Sequence, residues 1–563
     1  MSLDPLLLPV LWQRLIAAVD EQATTLVRTA FTPVVAEAED LAAGVFDARG
    51  RMLAQSLTGT PGHILSLATS VGKFMDAFAD DLAPGDVLLC NDPWVTSGHY
   101  NDLIVVTPVF RAPAPAVPGE AAADGESGEA GAIGPARPLA FFASICHAID
   151  VGGRGFGAAA RDVFEEGLAI PFVKLYREGT PNQDVLRFIR ANVRLPDEVL
   201  GDLHAQVVAN DAGARRLLEL VAEFGLVTLD DLAGAVLDRT EGALRRAVAA
   251  LPDGVYRYEL TTDGAEDGAA PIVYRLALTV AGDHLTVDYA GTSPQVAVGI
   301  NATLNYAMAY TLYPLVCALT PEVPFNAGVF RAVTLLAPEG SIVNARFPAP
   351  VSGRHLKNYA LATVVLGALA QVAPERVVAG SPPEWNVSLL GTDGAGRPFA
   401  ALLFPAGGMG ARWDADGISA TCFPANVPST AVEIVEARWP LLVERLALRP
   451  GSGGAGRHAG GDGEVLAVRV ETPGPARLLG MFDGLAHPTP GLLGGAPGAR
   501  GEVSRSSGAA VLAKGDTLLH PGETVTLLLP GGGGMGPAPD APAPAGAPGR
   551  AADPLGGATE GAA

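Results

Sequence analysis

Charge and aromaticity are scarce, at 17% and 6% of 563 residues, and cysteine is scarcer: Cys90, Cys146, Cys317 and Cys422 stand alone. With no CxxC pair, a zinc ribbon and a thioredoxin-like centre are excluded. Four isolated thiols make no disulfide scaffold, so a reducing, cytoplasmic setting is expected. Lys and Arg number 38 against 60 Asp and Glu, a formal net charge of −22. That leaves no basic footprint for nucleic acid. No apolar run approaches the roughly 18 residues of a membrane span, so no membrane partner is expected. Residues 1–12 are apolar but lack the basic flank and cleavage site of a signal peptide. Also missing are the GxxxxGK[ST] P-loop for ATP, the GxSxG elbow and HExxH.

Glycine and proline are abundant, at 69 and 46 residues. Part of the excess lies in two low-complexity stretches. Residues 111–137 carry no apolar periodicity and are expected to form a disordered insertion, and 538–563 a disordered tail. Outside them, helical spacing runs through Leu11, Leu15, Val19 and Leu26, then through 64–78, 197–224 and 229–251. Strands are expected at 44–55 (around an Asp47-Ala-Arg-Gly50 turn), 86–90, 103–110 and 139–146. Antiparallel alternation follows at 256–260, 272–280 and 284–289, with helices at 303–319 and 356–372. The fold class this implies is α+β and multi-domain, with mixed, mostly antiparallel sheets, packed helices and a strand-rich C-terminal region. The expected units are 1–253, 254–436, 437–537 and the tail. Gly451-x-Gly453-x-x-Gly456 fits the dinucleotide fingerprint literally, but no helix follows, so a glycine-rich turn between strands is the reading. Gly531 to Gly534 reads as a flexible or tight-turn segment.

Of nine histidines, two sit in matching contexts: His99-Tyr-Asn-Asp102 and His147-Ala-Ile-Asp150. Each His-x-x-Asp lies beside an expected strand and beside glycines, which let the chain turn sharply enough for side chains to converge. Imidazole nitrogen and carboxylate oxygen suit a divalent Zn, Mn or Fe ion. One such unit alone is more often a hydrogen-bonded structural pair. Two of them, separated mainly by the insertion, point to adjacent strands bringing both together. A third acidic patch, Glu37-Ala-Glu39-Asp40, precedes another strand. His63 is a further polar candidate, read as structural or supporting.

At these residues the sequence resembles the hydantoinase B/oxoprolinase family. The resemblance covers nearly the whole chain. It rests on Glu37-Ala-Glu-Asp40, Phe46-Asp-Ala-Arg-Gly-Arg-Met-Leu-Ala-Gln55, Pro61-Gly-His63, Gly98-His99-x-x-Asp102 and His147-Ala-Ile-Asp-Val-Gly-Gly153. It continues through Glu165-Glu-Gly167, Asn192-Val-Arg194, Asp288-Tyr-Ala-Gly-Thr-Ser-Pro-Gln295, Gly460-Gly-Asp-Gly463 and Pro530-Gly-Gly-Gly-Gly534. What the resemblance implies is a divalent metal held by Asp40, His99, Asp102 and His147. Asp150 would be a supporting group or general base, with Glu37 and Glu39 as weaker base candidates. It further implies a hetero-oligomer with an A-type partner subunit that carries ATP and phosphorylates the substrate. This chain would then complete the hydrolysis of a cyclic amide such as a hydantoin, 5-oxoproline or a lactam. Ketone carboxylation at the same ligands, and a non-catalytic scaffold for the partner, are the alternatives. The chain departs from the family pattern in its long insertion and in Ala36-Glu-Ala-Glu-Asp40, where many relatives carry two arginines before the aspartate.

Overall fold

The computed structural model describes residues 6–79, 81–111, 137–266 and 268–539, so the expected insertion (all but its end residues) and most of the expected tail lie outside them. The first unit is built on strands β1 (Leu41–Asp47), β2 (Met52–Gln55), β3 (Val87–Cys90), β4 (Asp102–Val109), β5 (Ala140–His147), β6 (Val173–Arg177) and β7 (Thr180–Pro181). They form one sheet in the order β2-β1-β5-β4-β3-β6-β7, with every neighbouring pair antiparallel. Both faces are covered. Along β5, Phe141, Ala143 and Ile145 join the core shared with the central unit, while Ala140, Phe142 and Cys146 face a second core. Alternation by two thus feeds two cores, so the strands read as unbroken apolar runs.

Helices α1 (Leu7–Thr29), α2 (Pro33–Ala36), α3 (Pro61–Phe78), α4 (Gln183–Asn192), α5 (Pro196–Glu223) and α6 (Asp230–Ala249) surround this sheet. α1 and α5 pack on one face and α3 on the other. Two buried amides of α5 tie it to the strands: Gln206 Nε2 donates to the Leu103 carbonyl (3.0 Å) and Asn210 Nδ2 to that of Val105 (3.1 Å). Among the described residues, no helix is long and apolar enough to cross a membrane.

The central unit holds β8 (Gly254–Thr262), β9 (Ile272–Ala281), β10 (His284–Asp288) and β11 (Val333–Leu336) in the order β11-β10-β9-β8. Only the β10–β11 pairing among the described strands is parallel. Helix α7 (Leu304–Leu319) packs against α3, and α8 (His355–Leu369) lies between α7 and the sheet. α7 and α8 therefore join the two units.

The C-terminal strands are β12 (Val387–Thr392), β13 (Pro398–Leu403), β14 (Leu441–Leu448), β15 (Glu464–Val470), β16 (Ala476–Leu479), β17 (Glu502–Arg505), β18 (Asp516–Leu519) and β19 (Thr524–Leu528), with α9 (Val432–Arg438) before β14. They make two sheets, β13-β12-β16-β18 and β14-β15-β19-β17, whose inner faces share one core around Trp385, Leu389, Val468 and Leu527. The first sheet draws strands from both sides of the 436/437 boundary read from sequence. β12 and β13 looked central in chain order, yet β12 pairs with β16. The fold class stands as expected: mixed helices and mainly antiparallel sheets in several units.

Glycines close the end of this sandwich. Gly531 to Gly534 are buried and hydrogen-bonded to neighbouring segments, so the flexible-turn reading is corrected. Gly532 N donates to Gly461 O (3.0 Å), Gly454 N to Gly532 O (2.8 Å) and Gly461 N to Met409 O (2.8 Å). Backbones approach so closely here that a Cβ on Gly408 would overlap the Gly461 carbonyl. Gly408→Ala should therefore lower stability by about 3 kcal/mol or more. Gly474→Ala, in open space, should stay within about 0.5 kcal/mol. Thermal unfolding of the two variants side by side checks this.

Candidate metal centre

Strand register assembles the centre. Asp102 opens β4 and His147 closes β5, and the two are paired directly across the ladder. Asp40 precedes β1 on the other side of β5, and its carbonyl accepts from the His147 amide at 3.1 Å. Three neighbouring strands thus deliver two carboxylates and an imidazole to one end of the sheet. His99 arrives three residues before β4, after Gly98 at φ 95°; a Cβ there would press on the Arg354 side chain at 2.8 Å. His63 comes from the first turn of α3.

His99, Asp102 and His147 place ligand atoms within 4.8 Å of one another, all buried. Asp102 divides its work between two oxygens. Oδ2 accepts from Ser97 Oγ and from Arg354 Nη2 (2.5 Å), with His63 Nε2 at 3.1 Å. Oδ1 faces His99 Nε2 at 2.7 Å and His147 Nδ1 at 3.4 Å. Asp40 stands beside this group: Oδ1 is 3.4 Å from His63 Nδ1, and Oδ2 is 3.9 Å from His147 Nδ1.

The tautomer of His99 follows from its neighbours. Its Nδ1 lies 2.9 Å from the Ser352 carbonyl oxygen and 2.9 Å from Arg354 Nη1. The carbonyl needs a proton on Nδ1; the guanidinium would favour a lone pair there. The 2.7 Å contact of His99 Nε2 with Asp102 Oδ1 is too poorly aligned for a well-formed hydrogen bond, whereas the Ser352 carbonyl accepts a proton on Nδ1, which places the ring proton there. Two buried acceptors then face each other, and His147 Nε2 also lacks a partner. A divalent cation would satisfy His99 Nε2 and Asp102 Oδ1, and His147 offers a ring nitrogen within 4.8 Å of them, so the donor set fits the ion that the sequence implies.

Electrostatics agree. Burial, and then the Arg354 charge, pull His99 down to about 3 and hold it neutral, as a ligand must be. His355 is likewise held well below its usual value, by burial first and Arg354 second. Burial opposes the charge of Asp102, but the charges of His63 and Arg354 help outweigh it, and its pKa is held well below the carboxylate range. Burial also opposes protonation of His63, yet Asp102 and Asp40 raise its pKa overall.

The opposite wall comes from distant sequence. The Arg354 guanidinium lies 3.8 Å from the centre of the Tyr306 ring, and Tyr306, Tyr310 and Tyr359 pack in succession with their rings steeply inclined. Glu384 and Asn386, just ahead of β12, close the far side. Glu384 Oε2 accepts from the Tyr359 hydroxyl at 3.1 Å, and burial pushes its pKa up to about 8. The cavity between the walls is about 20 Å³, room for an ion or one water.

Of the residues singled out from sequence, Asp40, His63, His99, Asp102 and His147 meet here. Asp150 does not. It is 2% exposed, and its oxygens are taken by the Gly152 amide (3.1 Å), Arg194 Nη1 (2.6 Å) and the Arg194 amide. Glu37 is exposed, Glu39 is half-buried at φ 47°, and neither lines the cavity. Sequence reasoning missed Arg354, Tyr306, Tyr359 and Glu384. The available signals were Arg354, His355 and Lys357 clustered at the start of a mostly apolar helix, and Tyr306, Tyr310 and Tyr313 at helical spacing.

The model for the hydantoinase B/oxoprolinase family matches residues 4–538. The chain is 28% identical to the B-type subunit of a putative D-/L-hydantoinase from Pseudomonas sp. (strain NS671), over 95% of this chain and 90% of that protein. It superposes on the crystal structure of ATP-dependent caprolactamase from Pseudomonas jessenii with a TM-score of 0.81 and 28% identity, covering 95% of this chain and 92% of that one. A nucleotide-free acetone carboxylase structure shares the fold, with a TM-score of 0.82 at 19% identity over 95% of this chain and 76% of that one.

Two outcomes are expected. Elemental analysis of the purified chain should find one divalent ion per chain, lost in His99→Ala and His147→Ala. Asp150→Asn should keep the ion, yet its thermal unfolding should report a loss of about 1–3 kcal/mol, because it breaks a buried charge-assisted bond rather than a ligand.

Proposed function

The chain belongs to the hydantoinase B/oxoprolinase family, and from that premise we propose that it is the B-type subunit of an ATP-dependent cyclic-amide hydrolase. The observation that carries this is the buried His99–Asp102–His147 group with its unpartnered atoms, at the base of a cavity faced by Glu384. The likeness to the corresponding hydantoinase component and to an ATP-dependent caprolactamase supports a ring-opening reaction. An A-type partner would bind ATP and phosphorylate the substrate's carbonyl oxygen. An unstrained amide resists water; phosphorylation of its oxygen makes the carbon electrophilic, so that one water would add there, the ring C–N bond would break to leave an acyl phosphate, and a second water would release the carboxylate and inorganic phosphate.

His99, Asp102 and His147, with Asp40 beside them, would hold a divalent ion, which supplies Lewis-acid polarisation and a lowered proton affinity for an attacking water. Burial and Arg354 keep His99 neutral, and Arg354 helps keep Asp102 charged. The three tyrosines and Phe156 exclude bulk water, which strengthens every charge interaction within. Glu384, pushed up to about 8, keeps a proton on its carboxyl near neutral pH and can give it to the departing ring nitrogen. A lactam ring exceeds about 20 Å³, so admitting it requires the wall that carries Glu384 to retreat.

The test is turnover by this chain reconstituted with an A-type subunit, across lactams, hydantoins, 5-oxoproline and small ketones, with and without bicarbonate. ATP-dependent formation of a ring-opened amino acid without bicarbonate is expected, falling at least about 100-fold in His99→Ala. Consumption of a ketone only when bicarbonate is present would instead make the chain a carboxylase subunit. ATP hydrolysis and product formation unchanged in His99→Ala would leave it a scaffold.

A further inference from the structure

Glu166 is a glutamate 2% exposed, at the end of the 3₁₀ turn Val163–Glu165. It lies outside the cavity and touches none of the candidate ligands. Oε1 accepts from two consecutive amides, Val351 at 2.6 Å and Ser352 at 2.7 Å, while Oε2 has no partner. A buried carboxyl is costly unless something requires it.

What it secures is the segment that leads into α8. The Val163 amide donates to the Pro348 carbonyl (3.1 Å), and the Gly353 amide donates to the Gly299 carbonyl (2.5 Å). Between these anchors, Glu166 fixes the peptide planes on either side of Val351. The next carbonyl, that of Ser352, then points at Nδ1 of His99, 2.9 Å away. Arg354, which pairs with Asp102, follows two residues later. The packing leaves little slack: a Cβ on Gly299 would meet Oε1 at 3.2 Å, and one on Gly353 would meet the Gly299 carbonyl at 3.0 Å.

We infer that Glu166 is the positioning residue for His99: by accepting from the Val351 and Ser352 amides it sets the Ser352 carbonyl, which fixes the ring proton on Nδ1 and turns Nε2 toward Asp102 and His147. The inference deepens the metal-centre reading and rests on it. Its chemistry is that of an outer partner orienting a ligand imidazole, reached through one turn of backbone rather than by direct contact. Acceptor capacity is what matters, because one oxygen takes both amides and a primary amide presents the same oxygen.

That separates three roles by substitution. Glu166→Gln keeps the acceptor oxygen and removes whatever charge the carboxyl carries, which burial already limits by pushing its pKa up to about 8. Glu166→Leu keeps the volume and loses the acceptor. Zn²⁺ or Co²⁺ affinity, measured by chelator competition on the full chain, should weaken about 10–100-fold in E166L and stay within about threefold of wild type in E166Q. The visible absorption of bound Co²⁺ should shift in E166L alone. A space-filling role predicts wild-type affinity in E166L, and a charge role predicts that E166Q fails with it; either result overturns the inference. Should E166L not fold, Glu166→Asp, which retracts the carboxyl by one methylene, should weaken binding likewise, and wild-type affinity there would overturn it too. A wild-type chain that takes up no ion would sink the metal reading by itself. Crystal structures would still decide the inference: in E166L the His99 Nδ1 to Ser352 contact should open beyond about 3.5 Å, and an intact contact would refute it.

Discussion

Everything at the centre of this protein follows from burying the carboxylate of Asp102. It is 0% exposed, and an isolated carboxylate there would be far too costly. Its oxygens are handled differently. Oδ2 is saturated by Ser97 and Arg354, with His63 close by; Oδ1 is turned toward two imidazoles that give it no well-formed hydrogen bond. The first set makes the charge tolerable and the second leaves it available. Arg354 is the hinge of this division, because the same guanidinium that stabilises Asp102 also depresses the pKa of His99 and lies over the Tyr306 ring.

The rest of the fold can be read as what that pair requires. Asp102 comes from the end of a central strand of a sheet sealed on both faces, and Arg354 from just ahead of α8. Holding the two together demands a rigid junction between the first and central units, and α3, α7 and α8 provide it. The C-terminal sandwich is bound to the same helix from behind: buried Lys357 donates to both oxygens of Asp483, at 2.7 and 2.8 Å. Its first sheet then carries Glu384 and Asn386 to the cavity. The glycine-packed end of the sandwich lets segments from residues 408, 461 and 532 meet backbone to backbone, with no side chain to separate them.

The strands and long helices of the first unit were legible because two-sided burial writes continuous apolar runs and one-sided helices write a 3.6-residue period. The pair of His-x-x-Asp units was legible too, but the two are not equivalent, and the sequence does not say so. In the first, the aspartate begins a strand and the histidine precedes it. In the second, the histidine ends a strand and the aspartate lies beyond it. Antiparallel pairing therefore sets Asp102 opposite His147, while Asp150 is carried past the sheet and turned by Gly152 and Gly153, both at positive φ, onto Arg194. Glu37 and Glu39 share a patch with Asp40 but sit on a turn before β1, where only Asp40 reaches inward. The far wall was invisible for a different reason. Arg354 is 252 residues from Asp102, and no local spacing encodes a contact across that distance.

The seam between the two walls has a mechanical consequence. The groups that could hold an ion belong to β1, β4, β5 and their loops, whereas the groups that orient them across the seam belong to residues 352–354. Two residues bond across it: Ser352, whose carbonyl meets His99 Nδ1, and Arg354, which reaches Asp102 and Ser97. A cavity of about 20 Å³ cannot admit a ring unless the walls part. Moving residues 352–354 away releases His99 from its tautomer and Asp102 from its counter-charge at once. Retreat confined to Tyr359, Glu384 and Asn386 opens the cavity while leaving these bonds intact. The geometry therefore favours entry from the side of Glu384, because that path alone makes room for a substrate without dismantling the centre that would act on it.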